Sequence, residues 1–509
     1  MAKVYNNRFI EYIGDNGGRA LLLFLLFLLA IYELLTSGFN SFAIICISPI
    51  IILLIYIAFT RKMLIFWTLI VVNWFIMNRN LDVPFPKSLA DELLELLLIS
   101  IAIIDARYSP HFERAWNLML LAIMIWFSLC FLEIFNDTCG LGLNFNAWFT
   151  GIRLMALHLL WILLVFSLYI SDSKNLINYL RLWAGLSLFS AFWTWKMINF
   201  GFTPTENSWL YSSGYVTHIL NGGTLIRYFS TFNDAATYGC NASASSVAFL
   251  VFGITAKLKK DKIFFLITSA IVIWGMFQSG TRTAMFTTIA GFVVFLVLAK
   301  SVRIIVPSTI IGCFFLIILI FTNIGNSNQQ MRRMRSAFKK NDASATVRDV
   351  NKASIAKYMK DAPWGIGIGM MSDNIPAWNR YKLLSEIPPD SEYVFIWVRT
   401  GTIGVTVFTC CMVLMLLGGC RIVLFKLKSP SLVGVGGGLC SAFVAIHLGG
   451  YVNQILYLYP NGLTFFGGMA IVYLLPYIEP EWIKYEEKRI ALEEEKKRLK
   501  LEKKLASRV

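Results

Sequence analysis

Long apolar stretches recur along the whole chain, and they restrict its fold more than any other feature of the sequence. A helix needs about 17–25 mostly apolar residues to cross about 30 Å of hydrocarbon. Hydrophobic residues make up 57% of the chain and charged residues only 15%, a composition that excludes an ordinary soluble protein. We predict an all-α, polytopic transmembrane helical bundle of about 14 spans (12–14) with a large, partly helical external loop. The predicted spans lie at residues 20–36, 41–59, 63–78, 89–105, 116–136, 150–171, 178–199, 239–256, 263–278, 283–299, 304–323, 391–418, 431–451 and 460–478.

The predicted spans divide the chain into four parts. Residues 1–323 hold helices 1–11 with short loops, and residues 324–390 form the large loop. Residues 391–478 hold helices 12–14, and residues 479–509 form a charged cytoplasmic helix. The first apolar run has no small-residue cleavage site after it and a second span follows at once, so we interpret it as a retained signal anchor.

Basic residues in the short loops predict the orientation of the bundle. If the N-terminus is cytoplasmic, residues 60–62, 105–114, 257–262, 299–303 and 421–430 all fall on the cytoplasmic side, as the positive-inside rule requires. Both termini are then cytoplasmic. The large loop, which holds eleven Lys or Arg residues against six Asp or Glu, lies outside. It forms either a solvated amphipathic helix or a docking surface for an anionic ligand.

Arginines recur where the chain meets the outer surface in this topology. Arg227, Arg282 and Arg348 each lie in a polar segment beside a predicted span or within the large loop. A single arginine at a helix end is usually an anchor at the lipid surface, but the positive-inside rule favours such anchors in the cytoplasm. Because the guanidinium group binds phosphate oxygens with two parallel hydrogen bonds, we predict a site for an external phosphate or pyrophosphate.

Other polar residues give weaker signals. The glycines of "PWGIGIGMM" predict either an anion-binding turn or a simple loop. His158 lies in a predicted span, where we expect packing or a hydrogen bond between helices, and His218 has no catalytic pattern around it. The cysteines show no CxxC pair, so we predict neither a metal site nor a cofactor.

The order of these motifs resembles the O-antigen ligase and O-antigen polymerase superfamily over about residues 220–420. The "SGTRTA" turn lies two spans before the large loop; "GIGIG" follows within that loop, and a small polar pair then precedes "GTIG". In ligases, the loop typically ends with His, then Asn, Ser or Gln, nine residues and a G-x-x-G-like element. Here Asp390 and Ser391 are followed by residues 392–400 and the glycine element 401–404. Asp therefore replaces His, and polymerases are more variable at this position, so the resemblance favours a polymerase.

The resemblance implies a metal-independent glycosyltransferase that uses a polyprenyl-pyrophosphate-linked glycan as donor. Asp390 is the candidate base or orienting group for the acceptor hydroxyl, with Glu392 as the second candidate. Arg227, Arg282 and Arg348 would bind the pyrophosphate of undecaprenyl pyrophosphate. Candidates for stacking on sugars, with loop packing as the alternative, are Trp364, Trp378 and Tyr381.

The resemblance also implies a bacterial inner-membrane location with the large loop in the periplasm. The expected partners are the lipid-linked donor, a glycan or lipid acceptor, membrane lipids and other polysaccharide-assembly proteins such as a chain-length regulator, with no nucleic acid. Three alternatives remain open at this stage. They are a ligase that joins glycan to lipid A-core, a flippase or transporter for lipid-linked oligosaccharide, and a non-catalytic membrane scaffold.

Overall fold

The structure is a computed structural model that describes residues 17–36, 56, 59–81, 87–105, 111–220, 222–322, 329–336 and 343–506. Its contacts divide the chain into two compact units, Met1–Trp67 and Thr68–Val509. In the described residues, the first unit contains one long apolar helix, Gly17–Thr36, and the start of the helix Lys62–Phe75. The second unit contains every element described from residue 68 onward. The predicted span at 41–59 lies almost entirely outside the described residues.

Helix accounts for 79% of the structure, which confirms the all-α prediction. In the described residues, strands β1 (Ile219–Leu220) and β2 (Leu225–Ile226) form one short antiparallel hairpin. The helices are α1 (Gly17–Thr36), α2 (Lys62–Phe75), α3 (Lys87–Ile104), α4 (Leu118–Leu132), α5 (Phe145–Ile152), α6 (His158–Tyr169), α7 (Ser173–Phe200), α8 (Pro204–Tyr211), α9 (Tyr215–His218), α10 (Ala235–Thr255), α11 (Lys259–Gln278), α12 (Arg282–Leu298), α13 (Val302–Phe321), α14 (Gln329–Ser336), α15 (Ala343–Met359), α16 (Lys382–Glu386), α17 (Glu392–Arg421), α18 (Pro430–Val452) and α19 (Gly467–Ala506).

Short 3₁₀ and π segments connect or extend several of these helices. The 3₁₀ segments are Phe112–Ala115, Glu133–Phe135 and Ser372–Asn374. One π segment, Arg153–Leu157, joins α5 to α6, and two others extend α17 through Lys426 and precede α19 from Gly462.

Among the described residues, six helical segments are long and apolar enough to cross a membrane, judged by length and composition. This supports a multi-pass membrane protein, although the count of about 14 spans and the orientation of the termini stay predictions. Charge explains part of the difference in number, since α3 overlaps the predicted span at 89–105 but carries four charged residues, Lys87, Asp91, Glu92 and Glu95. The six segments are Leu118–Phe135, Phe145–Tyr169, Lys259–Gln278, Glu392–Lys426, Pro430–Val452 and Gly462–Leu499.

Polar side chains fix where several helices begin. Asn117 caps α4 by accepting hydrogen bonds from the amides of Met119 and Leu120, and Asp172 caps α7 in the same way. Thr203 and Glu206 form a reciprocal capping box at α8. Each cap satisfies amides that have no partner inside their own helix.

Helices α10, α12 and α18 pack closely in the centre of the second unit because their facing residues are small. A Cβ added at Gly291 on α12 would lie 3.0 Å from the carbonyl oxygen of Ser441 on α18. A Cβ at Gly438 on α18 would lie 2.7 Å from the ring of Phe252 on α10. Small residues at such crossings let helix backbones approach where lipid gives no hydrophobic driving force.

The described part of the large loop folds onto the helices instead of standing free. Apolar residues of α15 and of the segment that follows it, including Ile355 and Ile366, form one buried cluster with Cys139, Ala147 and Val398. The glycine-rich turn hydrogen-bonds to α17, where Ile366 N–H donates to Val398 O (2.9 Å) and Gly367 N–H to Arg399 O (3.0 Å). These glycines therefore serve backbone packing.

Helix α17 breaks at Gly401, where φ is +68° and ψ is −170°. A side chain there would collide with the carbonyl oxygen of Pro363, and one at Gly365 would collide with the backbone of Arg399. The break frees the carbonyls of Val398 and Arg399 to accept the two hydrogen bonds from the glycine-rich turn. The first turns of α17 are thereby fixed against the large loop.

Candidate functional site

A cavity of about 680 Å³ lies where the hairpin and the N-terminal ends of α10 and α12 meet α14, α15, the start of α17 and the end of α18. It brings together four residues that the sequence analysis selected: Arg227, Arg282, Arg348 and Asp390. We call it the arginine cavity. Its remaining lining residues are Thr217, His218, Asp234, Ala236, Gly280, Thr281, Thr283, Phe286, Thr287, Ala290, Arg333, Leu448, Tyr451, Val452 and Asn453.

Arg227 follows β2 and joins the hairpin to the turn before α12. Its guanidinium group donates to Thr217 O (2.9 Å), to Ser279 O (3.3 Å) and to Thr281 Oγ1 (3.1 Å). Burial lowers the pKa of Arg227, the nearby positive charges of Arg282 and Arg348 lower it further, and Asp234 opposes them. Three hydrogen bonds thus fix this arginine in the cavity wall.

The turn before α12 needs glycine at position 280, where φ is +58°. A Cβ there would lie 2.9 Å from Gln330 Oε1, 3.2 Å from Arg227 Cγ and 3.3 Å from Arg333 Cδ. Arg333 Nε also donates to Gly280 O (2.7 Å). The turn therefore lies between two arginine side chains, one from the hairpin and one from α14.

The charge of the arginine cavity is positive. Four arginines, Arg227, Arg282, Arg333 and Arg348, line it against the carboxylates of Asp234 and Asp390, which leaves a net charge of +2 when all six are ionised and His218 is neutral. Asp234 already caps α10, since it accepts hydrogen bonds from the amides of Ala236 (2.7 Å) and Thr237 (2.9 Å). The cavity is thus suited to an anion with two negative charges.

His218 lies in the same wall as a neutral side chain. The amide of Ala235 donates to His218 Nε2 (3.0 Å), so Nδ1 carries the proton and donates to Thr217 Oγ1 (2.7 Å). Burial lowers the pKa of His218 to about 4, and the positive charge of Arg227 acts in the same direction. Because both ring nitrogens are engaged, His218 orders the wall and is not available as a base.

Asp390 has a left-handed backbone, with φ of +54°. Among the described residues, only Ser230 and Asp390 combine positive φ with a side chain, and such conformations concentrate at functional sites. The side-chain amide of Asn351 on α15 donates to Asp390 Oδ2 (2.7 Å). This hydrogen bond orients the carboxylate.

A second cavity of about 370 Å³ adjoins the first and shares Arg348, Asp390, Tyr451 and Val452 with it. We call it the aromatic cavity, because Tyr393 and Trp397 of α17 line it together with Tyr451. Asp390 therefore lies at the junction of a cationic cavity and an aromatic one. The remaining lining residues of the aromatic cavity are Asp349, Lys352, Pro389, Ser391, Val394 and Val405.

The other predicted site residues lie outside both cavities. Glu392 is buried, and its carboxylate accepts a hydrogen bond from the amide of Leu456 (2.8 Å). Tyr381 is also buried and contacts Arg380, whereas Trp364 and Trp378 are exposed on the folded loop. The structure therefore brings together the three predicted arginines and Asp390, but not these four residues.

Arg399, seven residues after Glu392, is buried against different neighbours. Its Nη2 lies 2.8 Å from Met371 Sδ, and its guanidinium group lies 5.2 Å from the ring of Phe395. It contributes to neither cavity lining. We assign it a role in holding the folded loop against α17.

Sequence reasoning missed Arg333, Tyr451 and Trp397. Arg333 stands in the run "RRMR", where only the phase of α14 decides which arginine faces the cavity. Tyr451 lies at the end of a predicted span, where an aromatic residue is the usual membrane anchor. The basic run and the aromatic residue at the end of a span are both visible in the sequence, but each is also what an ordinary protein or membrane surface would show.

Comparison with known proteins gives a family match over part of the chain. Residues 242–409 match the sequence profile of the family described as O-antigen ligase. The match begins in α10 and ends in α17, so it contains Arg282, Arg333, Arg348 and Asp390 but not the hairpin or Tyr451. No curated protein matches the chain. The match over residues 242–409 thus confirms the resemblance to the O-antigen ligase and polymerase superfamily that the sequence showed.

Proposed function

We propose that the chain is a membrane glycosyltransferase that polymerises undecaprenyl-pyrophosphate-linked oligosaccharide repeat units on the periplasmic face of the bacterial inner membrane. One observation carries the proposal: Asp390 lies between the arginine cavity and the aromatic cavity. A transferase needs an anion site for its leaving group, a site for its acceptor, and a base between them.

The arginine cavity suits the donor. A pyrophosphate joined to both a lipid and a sugar carries two negative charges near neutral pH, which matches the net charge of the lining. Arg282, Arg333 and Arg348 would bind its oxygens, while Arg227 supports the wall through its backbone contacts. These side chains supply the positive charge that a metal ion supplies elsewhere, so we propose that the transfer itself is metal-independent.

The chemistry requires one bond to form and one to break at the anomeric carbon. The acceptor hydroxyl oxygen forms the new glycosidic bond, and the bond between the anomeric carbon and the pyrophosphate oxygen breaks with its electron pair. Asp390 accepts the hydroxyl proton, and undecaprenyl pyrophosphate leaves with the added negative charge. Asn351 holds the carboxylate in place for this role, and arginines stabilise the charge that develops on the leaving group.

The aromatic cavity suits the acceptor. Tyr393, Trp397 and Tyr451 offer ring faces to the apolar surfaces of sugars. Asp390 in the place of the ligase histidine supports the polymerase over the ligase. The acceptor is then a second lipid-linked repeat unit, and growth adds units at this junction.

Replacement of Arg282 or Arg348 by Ala tests this proposal. Cells carrying either variant should keep the protein in the membrane, lose long glycan and accumulate single repeat units on the carrier at the outer face. Arg332→Ala is the matched control, because Arg332 is exposed on α14 and lines neither cavity.

The other functions give different products in the same assay. Units retained at the inner face would identify a flippase. Long chains that remain on the carrier without attachment to lipid A-core would identify a ligase. Unchanged long glycan in both variants would refute the assignment of the arginine cavity.

A further inference from the structure

We propose that Asp91, Glu95 and His158 form a buried binding site for a divalent transition-metal ion of the Zn²⁺ or Mn²⁺ class. Asp91 and Glu95 stand one turn apart on the same face of α3, and His158 begins α6. His158 Nδ1 lies 3.1 Å from Glu95 Oε2, and His158 Nε2 lies 3.9 Å from Asp91 Oδ2. One potential ligand atom from each residue lies within 4.8 Å of the other two.

The local helix geometry builds this cluster. The π segment Arg153–Leu157 immediately precedes His158, and π segments inside helices often occur at functional sites. It lets Arg153 and His158 face the same stretch of α3. Arg153 Nη1 pairs with Glu92 Oε2 at 3.1 Å, so the charge of Arg153 is already matched by its own partner.

Burial leaves atoms in the cluster without partners. Asp91 and Glu95 are 0% exposed, and His158 is 6% exposed. Within the part of the chain that the structure describes, Asp91 Oδ2 and Glu95 Oε1 accept no hydrogen bond. A buried carboxylate oxygen without a donor is costly. The two oxygens are therefore available to a cation.

Asn73 on α2 contacts the cluster through Asp91. Its Nδ2 donates to Asp91 Oδ1 (2.9 Å), and among the described residues its amide oxygen accepts no hydrogen bond. The hydrogen bond from Asn73 fixes the orientation of Asp91, as hydrogen bonds to metal-binding carboxylates commonly do.

Charge and donor type decide which cation fits. Asp91 and Glu95 carry two negative charges when ionised. The imidazole of His158, which contacts both, carries at most one positive charge and cannot balance them alone. A divalent ion with neutral His158 balances that charge inside the bundle, where an unbalanced charge is expensive. Two carboxylates and one imidazole are mixed oxygen and nitrogen ligands, which suit Zn²⁺ or Mn²⁺ better than the all-oxygen sites of Mg²⁺ and Ca²⁺.

The spacing is close to that of a bound ion. Ligand bonds of about 2.0–2.2 Å in a tetrahedral site place ligand atoms about 3.4 Å apart. Ligand atoms that now lie within 4.8 Å of one another would therefore move closer by up to about 1.4 Å around the ion, which side-chain rotations can supply. None of its three residues lines either cavity. The ion would join α3 to α6 beside Tyr459, whose ring centroid lies 6.1 Å from that of His158.

Metal analysis of the full-length purified protein tests the proposal. After dialysis against a chelator and then against ZnCl₂ or MnCl₂, the wild-type protein should retain about one metal ion per chain and unfold at a higher temperature. Glu95→Gln should retain less than a tenth of that metal. Glu113→Gln is the control, because Glu113 forms a similar pair with His111 (3.0 Å) but is exposed.

X-ray absorption of the Zn²⁺-loaded wild-type protein keeps the test decisive even if the Glu95 variant does not fold. Oxygen and nitrogen ligands at about 2.0 Å, with the scattering pattern of one imidazole, would support the proposal. Sulfur ligands at about 2.3 Å would overturn it. Wild-type protein that retains neither ion, or a Glu95 variant that retains as much as wild type, would overturn it as well. Each readout is independent of glycan transfer, so its failure leaves the proposed function standing.

Discussion

Replacement of Gly401 by Ala should release the glycine-rich turn from α17. The backbone at Gly401 (φ +68°, ψ −170°) lies in a region that residues with side chains avoid, at a cost of about 1–3 kcal/mol. The added methyl group would also displace Pro363 O. Loss of the hydrogen bonds from Ile366 and Gly367 adds about 0.5–1.5 kcal/mol each. The local free energy of opening should therefore fall by about 2–6 kcal/mol.

Hydrogen exchange followed by mass spectrometry measures this local opening directly. Since about 1.4 kcal/mol corresponds to a tenfold change, the amides of Ile366 and Gly367 should exchange at least about 30-fold faster in Gly401→Ala. Gly185→Ala is the matched control, because Gly185 lies within α7 and a Cβ there meets no atom within 4 Å. Exchange at Ile366 and Gly367 that stays within threefold of wild type would refute the argument that this break fixes the loop.

Three further predictions concern the cavities. Asp390→Asn should lower kcat for glycan transfer by about 10²-fold or more, as expected for loss of a general base, whereas Glu392→Gln should affect stability more than kcat. Kinetics with a lipid-linked repeat unit as substrate would separate the two variants. A normal kcat in the Asp390→Asn variant would show that Asp390 is not the base. Arg333→Ala should lower the release of undecaprenyl pyrophosphate by about 10²-fold, whereas Arg332→Ala should leave it near the wild-type rate, and equal rates in both variants would argue against a role for Arg333. The pKa of His218 is lowered to about 4 in the folded protein, so its contribution to stability is present above about pH 6.5 and is lost as the pH falls towards 4, by about 3 kcal/mol in total. Thermal unfolding of wild type and His218→Gln across this range should show that stability depends less steeply on pH in the variant. Parallel curves of stability against pH would contradict the assignment of His218 as a buried neutral side chain.

The sequence predicted three arginines and the aspartate of the arginine cavity, but not the other residues that line it. Because the positive-inside rule favours arginines in the cytoplasm, Arg227, Arg282 and Arg348 could be selected from their predicted external position. Asp390 followed from the resemblance to the ligase motif, in which its position is defined by the distance to the glycine element at residues 401–404. Which further groups join them depends on helix phase, as the selection of Arg333 from a run of arginines shows.

Glu392 shows why neighbours in sequence can have different roles. Ser391 is the N-cap residue of α17, so Glu392 is the first residue of the helix and turns into the protein, where Leu456 offers an amide. Asp390 stands before the cap and stays at the cavity. The metal site proposed above was equally hidden, because Asp91 and His158 are far apart in the sequence and meet only after α3 packs on α6.

The glycine-rich turn and the glycine element are also linked in a way that no local motif reveals. The sequence allowed an anion-binding turn at "GIGIG" and close helix packing at Gly401. In the structure, the two segments satisfy each other's backbone hydrogen-bonding groups. The break at Gly401 leaves carbonyls of α17 without a partner in the helix, and the amides of Ile366 and Gly367 donate to them. Tertiary hydrogen bonding decided between interpretations that local propensity left equal.

The left-handed backbone at Asp390 limits which amino acids can occupy the centre of this site. Among residues with side chains, Asn, Asp and His accept such a backbone most readily. The ligase histidine and the aspartate found here are thus both compatible with one turn, so either residue can occupy this position while the chain path stays the same. A longer acid such as Glu lacks that compatibility. The turn therefore restricts which residue types can stand at position 390. Asp390→His is the substitution with which the proposed polymerase chemistry and ligase chemistry can be compared in the same protein.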